Sequence, residues 1–99
     1  MQYYNSLILD WARENRILKK GTTAGQALKT LEEVDELIEA VNKNDYPAIM
    51  DAIGDIYVTL VIQAEMNDTT IEGCVAAAYE EIKNRKGVMK DGVFVKEAV

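Results

Sequence analysis

Residues 48–64, AIMDAIGDIYVTLVIQA, decide the fold of this chain. At 100° per residue their apolar and small side chains cover every side of a helix, which predicts a buried helix. Asp51 and Asp55 interrupt this run one turn apart, and an unpaired buried charge is costly. Between Thr30 and Ile82 the only basic residue is Lys43, and the chain has no histidine. A bound metal ion is therefore the predicted partner of these carboxylates.

Length and composition predict one small domain over residues 1–99. With 48% hydrophobic residues, a chain of this size can bury roughly two thirds of its unfolded surface, which leaves a lone protomer marginally stable. A helix that is apolar on all sides also needs more cover than three other helices provide. We therefore expect a homo-oligomer, either a homodimer or a homotetramer.

Charge and cysteine content narrow the class of partner and the compartment. The net charge of −6 argues against stable binding to nucleic acid or to an anionic membrane, because such binding depends on neutralising phosphates. The single cysteine, Cys74, cannot form an internal disulfide. Met1–Asp10 lacks the basic and apolar regions of a signal peptide. A cytoplasmic location is the expectation.

Apolar spacing and turn residues predict an all-α protomer of four helices followed by a short C-terminal tail or hairpin. The first helix is predicted over Gln2–Lys19, and the next three end near Val41, Met66 and Arg85. In the remaining segment, Gly87–Val99, Asp91-Gly92 favours a hairpin turn.

Three helix starts carry capping signals. Thr23 with Gln26 has capping-box spacing at the start of the second helix, and Thr69 with Glu72 has it at the start of the fourth. Asp45 is the predicted N-cap of the third helix, which tolerates a proline in its first turn.

The second helix carries acids of its own. Glu32, Glu33 and Glu36 share one face, and an apolar stripe that we expect to face the core lies opposite: Leu31, Val34, Ile38 and Val41. An acidic face of this kind is often only solvated. Like charges at this spacing nevertheless repel unless something neutralises them.

A short turn at Asn42–Asp45 makes the second and third helices antiparallel neighbours, so their acids can face each other across a cleft. Carboxylate oxygens select hard cations. Mg²⁺ or Mn²⁺ is favoured over a structural Ca²⁺, because a Ca²⁺ site more often uses loop carbonyls.

The stretches EEVDE at 32–36 and DAIGD at 51–55 resemble the paired motifs EExxE and ExxD of the MazG-like all-α NTP pyrophosphohydrolases. The resemblance extends over nearly the whole chain, from QALK at 26–29 to the tail at 81–97, which is similar to short phage-type and Gram-positive members. It implies hydrolysis of a nucleoside or deoxynucleoside triphosphate between the α and β phosphates, with Mg²⁺ as cofactor and Mn²⁺ as the alternative. Cleaning of the nucleotide pool is the role it suggests.

The resemblance also assigns the acids. Glu33, Glu36 and Asp55 correspond to metal ligands. Where the family pattern has the Glu of ExxD this chain has Ala52, and Asp51, one position earlier, is a further candidate ligand. Glu32 is then a ligand of a second metal or the group that orients the attacking water. The predicted catalytic acids are Glu32, Glu33, Glu36 and Asp55.

An acidic pocket needs cations for a triphosphate substrate. Lys29, Lys83 and Asn84 are the predicted phosphate contacts, and Trp11 is the predicted base contact. For Trp11 the alternative is ordinary core packing. For the basic residues that follow Asn84 it is electrostatic complementation of a helix C-terminus.

Two other functions fit the same sequence. One is phosphoribosyl-ATP pyrophosphohydrolase, which resembles the first in architecture and metal-binding acids but serves one biosynthetic substrate. The other is a non-catalytic helical interaction module whose acids only keep it in solution, and such a module would gain no stability from millimolar Mg²⁺.

Overall fold

The acidic helices form the centre of an all-α fold, seen in a computed structural model that describes residues 1–97. In chain order the elements are α1 (Gln2–Glu14), α2 (Ile17–Lys20), α3 (Thr23–Asn42), α4 (Tyr46–Met66), α5 (Ile71–Ile82), β1 (Gly87–Lys90) and β2 (Val93–Lys96). The all-α prediction is confirmed, with a C-terminal hairpin. The prediction of a single domain over residues 1–99 stays a prediction, and Ala98 and Val99 lie outside the described residues.

The predicted first helix is in fact two. Its apolar spacing continues past Asn15, but the Asn15 side chain donates to the Trp11 carbonyl oxygen at 2.9 Å, and Arg16 takes a left-handed conformation with φ of 61°. This corner ends α1 and directs α2 back towards α4, which it contacts. Periodicity cannot detect such a break, because both pieces keep their apolar faces.

Helices α3 and α4 form an antiparallel hairpin, as predicted. The side chain of Asp45 caps α4 by accepting from the Ala48 backbone N–H at 3.2 Å. In the turn before it, Asn44 has a positive φ of 53°, a conformation that asparagine tolerates better than most residues. The C-terminal ends of α3 and α4, at Asn42 and Met66, lie within one residue of the predicted ends.

Both predicted capping boxes are wrong by one residue. Thr22, not Thr23, caps α3 by accepting from the Gly25 N–H at 3.0 Å. Thr70 caps α5 in the same way, accepting from the Gly73 N–H at 3.0 Å. The shared signal is a glycine three residues after the cap, where a Cβ would crowd the threonine hydroxyl. Helix α5 then ends at Ile82, three residues before the predicted end.

The predicted burial of α3 and α4 is wrong in the protomer. On α3 the acid-bearing side faces α4, so that Gln26, Glu33 and Ala40 are buried. Most of the predicted apolar stripe points to solvent instead, because Leu31, Ile38 and Val41 are 52–55% exposed and only Val34 is partly covered. Leu28, one turn earlier on α3, is also exposed. On α4 the large side chains of Met50 and Ile53 are exposed as well, so that helix is not covered on all sides. Sequence periodicity identifies an apolar stripe, but it does not say whether the same chain covers it.

Within residues 1–97, α4 alone has the length and apolar composition of a membrane-spanning helix. It is also the central helix of the fold, because α1, α2, α3 and α5 all contact it. The core helix of a helical domain has the same composition. The core it organises is small, with these buried apolar residues: Ala12, Ala40, Ala52, Val61, Ile62 and Ala64.

The C-terminal hairpin is confirmed. Val88 pairs with Val95 and Lys90 with Val93, and Asp91 and Gly92 both have positive φ, as the two-residue turns that match strand twist require. At its base Gly87 leaves room for the Phe94 ring, whose tip would lie 2.6 Å from a Cβ at that position. Among the described residues, the two strands contact each other and no helix.

Candidate active site

Three carboxylates converge where α3 faces α4. One oxygen each from Glu33, Glu36 and Asp55 lie within 4.8 Å of one another. Antiparallel pairing produces this arrangement, because later residues of α3 face earlier residues of α4. Gln26 Nε2 donates to the Thr59 carbonyl oxygen at 3.0 Å, and Glu33 and Asp55 meet about two turns after Gln26 on α3 and one turn before Thr59 on α4.

Polar contacts fix α3 and α4 beside the acids. The hydroxyl of Thr30 donates to Thr59 Oγ1 at 2.8 Å, and the hydroxyl of Thr59 donates to the Ile56 carbonyl oxygen at 2.7 Å. Sequence reasoning did not select these threonines as site residues. The available signal was polar residues at matching positions on two helices that a short turn makes antiparallel.

Glu33 is the most enclosed of the acids, with 8% of its surface exposed. Its Oε1 lies 3.4 Å from Lys29 Nζ, while its Oε2 is buried without a hydrogen-bond partner among the described residues. Lys29 Nζ also lies 3.5 Å from Glu32 Oε2. Lys29 therefore neutralises part of the charge of Glu32 and Glu33, whereas Asp51 and Asp55, for which a metal partner was predicted, form no salt bridge among the described residues.

The pKa values of the cluster reflect the crowding of negative charge. A hydrogen bond with Glu33, together with its charge, raises the pKa of the Glu36 carboxyl. Burial raises the pKa of Asp55, and the charges of Asp51 and Glu33 raise it further. Glu32, followed by Glu33, raises the pKa of the Lys29 ammonium. Glu36 and Asp55 are therefore easier to protonate than usual, which is the condition that a bound cation reverses.

Asp51 is exposed on α4 and stands outside the group of three. Its carboxyl nevertheless lies close enough to hydrogen-bond with Asp55 when one of the two is protonated. The prediction that Asp51 shares a buried position is wrong, because this side of α4 is open at its N-terminal half. Its predicted approach to the cluster fits the geometry.

The acid cluster fits a divalent cation. Around an octahedral Mg²⁺ with ligands at about 2.1 Å, neighbouring oxygens lie about 3 Å apart and opposite ones about 4.2 Å apart, so rotation of the three side chains toward one another would let them share one ion. The unpaired Oε2 of Glu33 is the buried acceptor that such an ion would satisfy. Glu33, Glu36 and Asp55 are thus the residues that could hold the ion, with Asp51 adjacent.

A pocket of about 190 Å³ lies beside the acids. Its polar lining contains Glu33, Asp55 and Lys29, and Trp11, 51% exposed, stands among its apolar lining. The complete lining is Trp11, Ile17, Gln26, Lys29, Glu33, Asp55, Val58, Thr59 and Ile62. The structure thus brings two of the four predicted substrate contacts to the acid cluster.

The other two predicted contacts, Lys83 and Asn84, are not brought there in the protomer. Neither lines the pocket, and Lys83 Nζ pairs with Glu80 at 2.7 Å. Within the described residues α5 contacts α4 and has no contact with α3.

Comparisons with known proteins agree with the geometry. The sequence matches the model of the MazG nucleotide pyrophosphohydrolase domain over residues 22–89, the stretch from the cap of α3 into β1. It is 37% identical over 67 residues to a protein of Haemophilus phage HP1 (strain HP1c1), which is named as an uncharacterized 18.2 kDa protein in the rep-hol intergenic region. The match covers 66% of this chain and 41% of that relative, so the chain spans about two fifths of its length. No solved structure matches the chain.

Proposed function

Because the chain belongs to the MazG nucleotide pyrophosphohydrolase domain family, we propose that it hydrolyses nucleoside or deoxynucleoside triphosphates between the α and β phosphates. The observation that carries the proposal is the convergence of Glu33, Glu36 and Asp55 beside the pocket that contains Trp11. The products are the nucleoside monophosphate and pyrophosphate. Removal of unwanted nucleotides from the cellular pool is the role that this chemistry serves, in the cytoplasm.

Glu33, Glu36, Asp55 and Asp51 would hold Mg²⁺ or Mn²⁺. Such a cation supplies charge neutralisation on the phosphates and polarises the phosphorus that is attacked. In the reaction a water oxygen forms a new bond to the phosphorus atom of the α or the β phosphate. The bond from that phosphorus to the oxygen that bridges the α and β phosphates breaks, and the water loses one proton. Glu32, which is exposed at the edge of the cluster, orients this water and accepts its proton.

Lys29 and Trp11 position the substrate. Lys29 lies between the acids and the pocket, so its ammonium can exchange a carboxylate partner for a phosphate oxygen. Trp11 lies in the pocket wall with half of its surface open, and an exposed indole face offers a stacking surface for a base.

The purified chain should be tested against a panel of ribonucleotides and deoxynucleotides and against phosphoribosyl-ATP, with Mg²⁺, by detection of pyrophosphate and the monophosphate product. We expect turnover of at least one NTP or dNTP and loss of it in Glu36→Gln. Turnover of phosphoribosyl-ATP alone would replace the proposal with the biosynthetic function. Failure to hydrolyse any of these substrates, with no stabilisation by Mg²⁺, would favour the non-catalytic interaction module.

We also propose that the functional form is a homodimer or a homotetramer. The support is the exposed stripe of α3, together with the few large side chains that the protomer buries. Burying an exposed leucine, isoleucine or valine contributes about 1.5–3 kcal/mol. Packing against a second copy would therefore stabilise the four exposed apolar residues of α3: Leu28, Leu31, Ile38 and Val41.

A further inference from the structure

One uncharged side chain in the pocket wall is held in a fixed orientation. Gln26 is 8% exposed, and its Nε2 donates to the Thr59 carbonyl oxygen at 3.0 Å. Because a carbonyl oxygen only accepts hydrogen bonds, this contact settles which end of the Gln26 amide is the nitrogen. The Oε1 of Gln26 is therefore turned away from that carbonyl.

The Oε1 of Gln26 is an acceptor open to the pocket. Within the described residues it has no hydrogen-bond donor as a partner, and it is not one of the enclosed polar atoms that lack a partner. An acceptor that is neither bonded nor enclosed contacts solvent. The pocket that Gln26 lines is the solvent-filled space beside it.

The order of side chains along the pocket matches the order of groups in a nucleotide. Lys29, Glu33 and Asp55 form its charged part, and Gln26 lies about two helical turns, or about 10 Å, before Glu33 on α3. The remaining lining is apolar and comes from two sides: Trp11 and Ile17 of α1 and α2, and Val58 and Ile62 of α4. A nucleotide with its phosphates at Glu33 would extend its base towards Gln26.

The size of the pocket suits a base. Its volume of about 190 Å³ is below the about 300–1,000 Å³ of pockets that enclose a whole drug-sized ligand. One ring system can enter beside Trp11, while the phosphates stay outside at the acid cluster.

The donors around the base position are already used. The Nε2 of Gln26 binds the Thr59 carbonyl, and the hydroxyl of Thr59 donates to the Ile56 carbonyl oxygen at 2.7 Å. The ammonium of Lys29 lies with the acids. The indole N–H of Trp11 lies in the plane of its ring, so it does not point at a base that stacks on the ring face. The polar atom left for the base edge is the acceptor of Gln26, which selects an edge that donates.

Nucleobases differ in what they offer to such an acceptor. Adenine and cytosine carry an exocyclic amino group, whereas guanine and thymine carry a carbonyl oxygen at the corresponding position, as do hypoxanthine and uracil. A carbonyl oxygen opposite Gln26 would bring two acceptors together and leave both unpaired. Uracil and thymine could turn a ring N–H to Gln26 instead, but the two carbonyl oxygens that flank it would then lack donors.

We propose that Gln26 selects the base, and that the preferred substrates are triphosphates of adenine and cytosine. The amino group of the base donates to Gln26 Oε1 while the ring stacks on Trp11. This inference rests on the proposed hydrolysis for the substrate class, whereas recognition of the base can be measured without turnover.

Two substrate pairs that exchange the amino group for an oxygen test the proposal. The wild-type kcat/KM should be at least about 10-fold higher for ATP than for ITP and for CTP than for UTP, because a buried acceptor is left unpaired by the second member of each pair. Gln26→Leu removes the acceptor and should bring both ratios close to unity by lowering the values for ATP and CTP. Ratios near unity in the wild type, or ratios that Gln26→Leu retains, would overturn the proposal.

The matched control is Gln63→Leu. The Nε2 of Gln63 donates to the Thr23 carbonyl oxygen at 3.3 Å, so this residue also joins α4 to α3, but it does not line the pocket. Both substrate ratios should survive its loss.

The wild-type chain alone provides a second test if Gln26→Leu does not fold. Purine ribonucleoside triphosphate lacks the amino group of ATP and gains no carbonyl oxygen. Its kcat/KM should fall at least about 10-fold below that of ATP, and a value equal to that of ATP would overturn the proposal.

Binding without cleavage separates this inference from the proposed hydrolysis. Trp11 is the only tryptophan of the chain, so its fluorescence reports a base stacked on it. The probes are α,β-methylene analogues of ATP, ITP, CTP and UTP, and the ATP and CTP analogues should bind at least about 10-fold more tightly. Equal affinities, or no change in fluorescence with any analogue, would overturn base selection even if triphosphates are hydrolysed. Selective binding by a chain that hydrolyses no triphosphate would support base selection and reject the hydrolysis.

Discussion

Glu33 and Asp55 occupy positions that stability alone would not select. An ionised carboxylate in a partly buried cleft lowers the free energy of unfolding unless it is paired. Burial and the neighbouring acids both raise the pKa of Asp55. Residues that oppose the stability of the free protein are often kept for function. We therefore expect Glu33, Glu36 and Asp55 to destabilise the metal-free protein locally and to bind the metal ion.

Asp55→Asn should stabilise the metal-free protein and abolish hydrolysis. It removes a charge that burial, Asp51 and Glu33 all disfavour, and it weakens a ligand set. We expect an increase of a few degrees in Tm without metal, measured by circular dichroism, and a loss of at least about 100-fold in kcat/KM. Asp35→Asn, at an exposed position of α3, is the control and should change neither. A lower Tm for Asp55→Asn would mean that this carboxylate is a structural partner.

Asp51→Asn tests whether Asp51 replaces the missing acid at Ala52. Its carboxyl is near enough to Asp55 to act on the same ion. If it is a ligand, activity or Mg²⁺ affinity should fall about 10-fold or more, as measured by titration of activity with Mg²⁺. Near wild-type kinetics would show that three carboxylates suffice.

The pKa values of Glu36 and Asp55 also predict how stability depends on pH. Both are raised, so the native state binds these protons more tightly than the unfolded state does. Without metal, the free energy of unfolding should therefore decrease as pH rises from about 4, the ordinary carboxyl value, through the raised values. With saturating Mg²⁺ this decrease should vanish or reverse, because the ion binds the ionised form. Urea unfolding at several pH values measures both trends, and a metal-free protein that gains stability over this window would contradict the prediction.

At the level of elements, the helix caps give a direct test of the local structure. Thr22→Ala and Thr70→Ala should each lower the free energy of unfolding by about 1 kcal/mol, because each removes an acceptor for a backbone N–H in the first turn. Their sequence neighbours provide matched controls, since Thr23→Ala and Thr69→Ala leave the caps intact and should be close to neutral. Chemical denaturation of the four variants distinguishes the observed caps from the capping boxes that spacing alone favours.

Sequence reasoning predicted the α3–α4 pair and its acids, because helical periodicity, a three-residue turn and one capping aspartate are local signals. These signals predicted that the two sets of acids face each other, and the family resemblance singled out Glu33, Glu36 and Asp55 among them. Sequence reasoning failed at the corner of Asn15 and Arg16, where a side chain competes for a helix carbonyl without disturbing the apolar spacing. It also reversed the faces of α3, since periodicity identifies an apolar stripe such as that of Leu31 and Ile38 but does not show which side of the helix the same chain covers.

For the whole molecule, the exposed stripe of α3 predicts association. Light scattering should give a mass that is a multiple of the 11.1 kDa chain. Leu31→Lys with Ile38→Lys should lower that mass, because two charges would be buried in the contact between copies. Glu80→Gln with Glu81→Gln, on α5, changes the net charge by the same two units and should leave the mass unchanged. A wild-type chain that stays monomeric at working concentration would contradict this prediction.

The three-residue turn between α3 and α4 also bears on the order of events during biogenesis. Contacts that are close in sequence form quickly, on a timescale that does not depend on protein concentration. The α3–α4 pair and its carboxylates can therefore assemble in a single newly synthesised chain, whereas the outer stripe of α3 is still exposed to water in that chain. Only the proposed association of copies would then depend on protein concentration, and with it on the rate of synthesis.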